Sequence, residues 1–340
     1  MPANLSLLFF CVVLAALAGC RPEPAPPLDQ QLYIWQRQWQ PAHEQALADS
    51  RADFSTLRVL ALQAQPKAGW SRALVDLPRL KADGRPVIAV VRLDGQLPAL
   101  DLQEAGPQVA RLLADWQAGG VPLDGLEIDH DSGSARLADY GEFLLQLREQ
   151  LPPGLKLSIT ALPAWLGSPH LPALLQAVDS SVLQVHAVSD PRRGLFDPAQ
   201  ARQWAERWSR VGDKPFHLAL PAYGVALLPD TGGAPVVESE TPLNRGGERR
   251  ELLADPQQLA DLGRRLRDQP PAHLVPPAIA RRPPCLEPDH VESGGARRCA
   301  RQPMAGRTVR AGGAERHHAG QRRQSRPADT CAGGAGRRIL

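Results

Sequence analysis

The sequence predicts an α/β chain of the (β/α)8, or TIM-barrel, class, incomplete at its eighth strand and followed by a disordered tail. Three observations carry this expectation. Seven short apolar runs recur between residues 32 and 221, and a stretch with helical apolar spacing separates each from the next. Strands alternating with single helices form βαβ units and a parallel sheet. Seven of them favour closure into a barrel over an open sheet. No Gly-x-Gly-x-x-Gly follows the first run and no P-loop is present, so a dinucleotide or nucleotide fold is not supported and no cofactor is expected.

In chain order the predicted strands are 32–37, 57–63, 86–94, 124–131, 155–162, 182–188 and 215–221. The predicted helices are about 41–52, 71–82, 103–118, 134–150, 168–178, 198–211 and 255–268. The fourth helix places Leu137, Phe143, Leu144 and Leu147 on one stripe, and Pro152-Pro153-Gly154 stops it. Segment 225–250, with Gly232-Gly233 and Gly246-Gly247, reads as a mobile insertion after strand seven, either a substrate lid or an ordinary surface loop. Ala272-His273-Leu274-Val275 begins an apolar run where strand eight belongs, and Pro276-Pro277 breaks it off.

The ends of the chain differ from this barrel, expected over 29–275. Of the 39 basic and 36 acidic residues, 26 and 31 lie in 1–275, and 13 and 5 in 276–340. The formal charge of +3 therefore combines a mildly acidic body with an Arg-rich tail. The five cysteines are also terminal: Cys11 and Cys20, then Cys285, Cys299 and Cys331.

Leu5 to Ala18 is apolar but for Ser6, too short to span a bilayer and suited to a signal peptide over 1–20. Leu17-Ala18-Gly19-Cys20 resembles a bacterial lipobox, which implies lipidation of Cys20. The alternative is an ordinary signal peptide with a chance cysteine. Residues 21–28 form a stiff Pro-rich linker. Arg21 stands where inner-membrane retention would have Asp, so the expected location is the cell envelope, lipid-anchored at the outer membrane and facing the periplasm.

The chemistry is read from the fourth strand. There Leu126 and Ile128 share one face, and Glu127, Asp129 and Asp131 share the other. The outer face of a barrel packs under helices, so the carboxylates are expected to point inward near the C-terminal mouth, where barrel active sites sit. The same alternation turns Trp35, Gln63, Arg92, Asp94, Thr160, Gln184 and His186 inward and lets Tyr223 overhang the mouth. Burying unpaired carboxylates costs several kcal/mol each; Arg92 and His186 are the expected counter-charges. A carboxylate cluster of this kind suits glycoside hydrolysis, in which one carboxyl donates a proton to the leaving oxygen and another stabilises charge. Asp131 is the candidate acid, Asp129 its partner and Glu127 an orienting group. A structural ion-pair cluster is the alternative.

Trp35, Gln63, Arg92, Asp94, Gln184, His186 and Tyr223 are the candidate substrate-binding residues. Trp35, Trp39, Trp70 and Trp165 are candidates to stack on sugar rings, with core packing as the alternative for each. Trp116, Trp204 and Trp208 lie in helical patterns and are read as packing. No HxH or HExxH spacing is present, so no metal site is expected. The expected partners are a carbohydrate and, through the anchor, a membrane, with no nucleic acid.

The segment Asp124-Gly125-Leu126-Glu127-Ile128-Asp129-His130-Asp131 is similar to the DGxDxDxE strand of family-18 chitinase-type barrels. Glu127 stands at that motif's first inner Asp and Asp131 at its catalytic Glu, one methylene shorter. Asp129 matches the Asp that assists the substrate's N-acetyl group in that family. The chain more closely resembles the bacterial lipoprotein family called domain of unknown function 3142, through Leu32-Tyr33-Ile34-Trp35-Gln36-Arg37 and Gly125 to Asp131. This resemblance spans about 28–275 and implies a glycosidase-like barrel that hydrolyses or binds an envelope or extracellular glycan. A non-catalytic glycan-binding or envelope-assembly protein is the alternative.

Residues 276–340 contain no Phe, Trp or Tyr and only seven Val, Leu, Ile or Met, too few to offset the entropy of folding. A basic tail of this size without Lys, on an exported protein, has no evident nucleic acid to bind. Back-translating Cys285 to Gly295 with GC-rich codons and reading one nucleotide on yields Ala-Trp-Ser-Pro-Thr-Thr-Trp-Arg-Ala-Val-Val. The tail is therefore read as out-of-frame from about 275–280, and the product as unstable unless its frame is restored.

Overall fold

A computed structural model describes residues 29–185, 196–221, 224–228, 236–238, 250–275 and 279–281. The elements in order are β1 (Gln31–Ile34), α1 (Ala42–Ser50), β2 (Thr56–Gln65), β3 (Gly69–Arg72), α2 (Leu77–Asp83), β4 (Val87–Leu93) and α3 (Leu102–Ala118). There follow β5 (Leu123–His130), α4 (Leu137–Gln150), β6 (Lys156–Ala161), α5 (Leu171–Gln176), β7 (Ser180–Gln184), α6 (Pro198–Trp208) and β8 (Phe216–Leu220). β9 (Gly224–Leu228), β10 (Val236–Glu238), β11 (Arg250–Leu253), α7 (Pro256–Asp268) and β12 (Ile279–Arg281) complete the chain.

Seven parallel strands, β1, β2 and β4 to β8, make one curled sheet in the order expected of a TIM barrel, with β1 paired to β2. The register brings Val90 beside Glu127, Arg92 beside Asp129 and Glu127 beside Ser158. Helices start where the sequence supplies caps: Asp76, Asp101, Asp197 and Asp255 each accept a backbone N–H of the first turn.

The alternation seen in the sequence sorts the side chains into two layers. Leu57, Val59, Ala89, Val91, Leu126, Ile128, Leu157, Ile159 and Leu183 pack outward into the main core against α3, α4 and their neighbours. Inside the sheet the apolar material is sparse, with Tyr33, Val90, Val182 and Ala219 forming a small cluster against Trp35. The interior is instead rich in polar groups.

Four elements depart from expectation. The helix foreseen over 71–82 begins only at Leu77, because Gly69–Arg72 folds back as β3, antiparallel to the end of β2. Gly69 takes a left-handed φ of 66°, a turn conformation glycine adopts without strain. The helix foreseen over 168–178 shortens to Leu171–Gln176. In the segment read as a loop, β9 pairs with both β10 and β11 in a separate antiparallel sheet. Strand eight is also displaced. At the expected position Leu274 makes only a bridge to Phe216, and the strand itself, β12, follows Pro276-Pro277. Three residues long, β12 pairs in parallel with β8 on one side and β1 on the other. Pro276-Pro277 and Ala278 lie outside the described residues, between that bridge and β12.

Candidate active site

β5 carries two of the three carboxylates into the sheet's interior. Glu127 is fully buried. The Tyr33 hydroxyl donates to its Oε1 at 2.7 Å, while the Arg58 guanidinium and the Ser158 hydroxyl donate to its Oε2. Arg58, 1% exposed, also donates from Nε to Gln31 at 2.8 Å and sits over the Tyr33 ring at 5.8 Å. Burial of this charge is thus offset by an ion pair with its remaining donors satisfied. Arg58, and not Arg92, is the counter-charge of Glu127.

Sequence reasoning missed Arg58 because β2 carries a bulge between Leu60 and Leu62. Arg58 and Gln63 have opposite parity in the sequence, yet the extra residue lets both face inward. An arginine within an otherwise apolar strand was the available signal.

Below this pair lies a second polar group. Gln31 approaches His217 at 3.2 Å and donates to Asp29 at 2.9 Å, and Asp29 lies 3.6 Å from His217. Hydrogen bonding to His217, with support from Ser55 and Gln31, holds the Asp29 carboxyl well below the ordinary carboxylate range despite partial burial. Burial pushes the His217 imidazole down, against the pull of Asp29.

Asp129, one turn of the pleat above Glu127, is 2% exposed and accepts from the Thr160 hydroxyl at 2.5 Å. Asp131 lies one residue past the end of β5 and is exposed. The Gln184 amide of β7 reaches both carboxylates, at 3.5 Å from Asp129 Oδ1 and 3.3 Å from Asp131 Oδ1. Those two contacts limit the separation of the two oxygens to no more than about 7 Å, which admits the spacing of a retaining pair and the lower end of that of an inverting pair. The Tyr140 phenol behind the strand is pushed well up, first by burial and then by Asp129, Glu127 and Asp131. His130 points to the opposite side, where its Nδ1 contacts the Leu93 carbonyl at 2.9 Å and its ring meets Tyr140 edge-on. Burial lowers its basicity, which suits a neutral structural imidazole.

The other expected site residues divide. Arg92 is half-buried beside Asp129 and stacks over the Trp35 ring at 5.7 Å. Gln63 is buried in register with Arg92. Asp94 caps its own turn by accepting the Gln96 N–H at 2.8 Å. His186, Tyr223 and Cys20 lie outside the described residues. Trp165 is no rim residue: it is fully buried, donates to the Ser132 carbonyl at 2.7 Å and packs on Tyr140. Trp70, opposite Ala64 at the C-terminal end of β2, donates to Glu104 of α3 at 2.7 Å, and Trp39 stacks on His43. Trp116, Trp204 and Trp208 pack in the core as expected.

The arrangement is therefore a parallel barrel with one saturated carboxylate in its interior and two aspartates, joined by an amide, where its strands end. Such a fold places working groups at the C-terminal ends of its strands. The chain belongs to the family described as Domain of unknown function (DUF3142), whose sequence pattern matches residues 83–283 and so continues past Pro276-Pro277 through β12. Among curated proteins no sequence match is found. Solved structures share the fold. The spore cortex-lytic enzyme SleL of Bacillus cereus is similar with a TM-score of 0.57 and 13% identity, over 76% of this chain and 72% of that one. A chitinase from Bacteroides thetaiotaomicron gives 0.54 and 10%, over 75% and 89%. A chitinase from Chromobacterium violaceum ATCC 12472 gives 0.52 and 13%, over 76% and 96%.

Proposed function

We propose that the barrel hydrolyses a cell-envelope or extracellular glycan at its C-terminal mouth, with Asp131 meeting the leaving oxygen and Asp129 as its partner. The observation that carries this reading is the pairing of an exposed aspartate with a buried one through Gln184, at the end of a strand whose third carboxylate is already neutralised by Arg58. Glu127 then acts at a distance, holding the strand and the local charge. Arg92, stacked on Trp35, and Gln63 line the same end of the barrel and supply polar contacts for sugar hydroxyls. The fold shared with a cortex-lytic enzyme and chitinases supports a glycan as the substrate class.

A second reading, binding without turnover, is favoured by the length of Asp131, one methylene shorter than the glutamate at the matching place in chitinase-type barrels. Reducing-end release from peptidoglycan and polysaccharide libraries separates the two. Hydrolysis by the wild type that falls at least about 100-fold in Asp131→Asn supports catalysis by this residue. Hydrolysis unaffected by the substitution removes Asp131 from the mechanism, and saturable binding with no product supports the second reading.

We further propose that Cys20 is lipidated and tethers the barrel to the outer membrane through residues 21–28. Cys20→Ser is expected to move the protein from the membrane to the soluble fraction of cell lysates; an unchanged distribution counts against the anchor.

A further inference from the structure

We infer that Gln184 is a positioning residue that holds Asp129 and Asp131 as one unit, which deepens the reading above and rests on its choice of these two aspartates. β7 is separated from β5 by β6, so Gln184 must cross the barrel interior to reach either carboxylate. Its side chain is 5% exposed, and its Nε2 lies 3.5 Å from Asp129 Oδ1 and 3.3 Å from Asp131 Oδ1. A primary amide carries two N–H groups on one nitrogen, one for each acceptor. The shorter Asn would stop about one C–C bond, roughly 1.5 Å, short of both. Glu in its place would bring a third carboxylate up to the pair.

The backbone of Asp131 is held from the other side. A Cβ added to Gly95 would lie 2.3 Å from the Asp131 carbonyl oxygen, so the turn after β4 abuts that peptide and needs glycine there. Asp94 shapes this turn through its bond to the Gln96 N–H, and Ser132 donates to the His130 carbonyl at 2.7 Å just beyond. Asp131 is thus fixed at its main chain by the β4 turn and at its carboxylate by β7. Preorganisation of this kind sets where a reacting oxygen sits, and it compensates for the short reach of Asp at this place in the strand.

The test reads the carboxylates directly. Side-chain carboxyl carbon resonances of Asp129 and Asp131 are recorded at neutral pH in the full chain, in Gln184→Met, which keeps the length but has no donor, and in Gln184→Asn. Loss of the shared amide donor should move both resonances by more than a linewidth in both variants, while the Asp124 and Asp213 carboxyls, remote from Gln184, stay in place. A resonance that stays in place for either aspartate in the methionine variant overturns the proposal, as does an asparagine variant whose two resonances match the wild type. Were the methionine variant not to fold, the asparagine variant carries the same test alone. If both resonances move while the wild type neither cleaves nor binds any glycan, the positioning role stands and the functional reading above fails.

Discussion

Arg58→Met is expected to lower the free energy of unfolding by about 3–5 kcal/mol, because it leaves the Glu127 carboxylate buried without its counter-charge. Glu127 is fully enclosed, and the neutral hydroxyls of Tyr33 and Ser158 do not replace a guanidinium charge. Arg58 would in turn be stranded by Glu127→Leu, with a loss of similar size. The double variant Arg58→Met, Glu127→Leu removes both charges and is expected to recover most of the loss, since apolar side chains of comparable volume often replace a buried ion pair at little cost. Urea unfolding of the four proteins checks this, with the coupling energy read from the cycle. A double variant as unstable as the sum of the singles would mean that the two residues do not stabilise each other. A loss below about 1 kcal/mol in Arg58→Met would place the pair in the range of a surface contact.

Much of the barrel was legible because it depends on periodicities that sequence displays. All seven long strands lie within a few residues of their expected positions, and the inward face of β5 follows from Leu126 and Ile128 alternating with Glu127 and Asp129. The partners of those carboxylates were harder to read. Tyr33 and Ser158 come from strands whose inward residues are mixed in character, and the bulge after Leu60 hid Arg58 by reversing the phase of β2. β3 escaped because Gly69–Arg72 lacks apolar alternation: it pairs along one edge and its residues are largely exposed. Trp165 illustrates a limit of composition. A tryptophan after a strand end reads as core more readily than as rim, and the turn following β6, which drops its ring onto Tyr140, decides for core.

Two truncations are expected to separate the barrel from its tail. A chain ending at Val275 lacks β12 and leaves β8 and β1 with unpaired edges, where exposed N–H and C=O groups recruit other strands. It is expected to lose cooperative unfolding and to aggregate. A chain ending at Pro284 keeps β12 and the whole of the family match, which closes at 283. It is expected to melt within about 2 °C of the full-length protein, since residues 285–340 have too few large apolar side chains to add a packed layer. We propose that the reading frame departs after this point and not at 275–280, because the family pattern is matched in the present frame as far as 283. A third chain, with the codons after 284 read one nucleotide on, is then expected to melt higher than either, by adding an amphipathic segment that can cover β12 and β1. Scanning calorimetry on the three proteins decides the matter. Equal melting of the Val275 and Pro284 chains would show that β12 adds nothing to the sheet. Equal melting of the Pro284 and frame-restored chains would remove the support for a displaced frame.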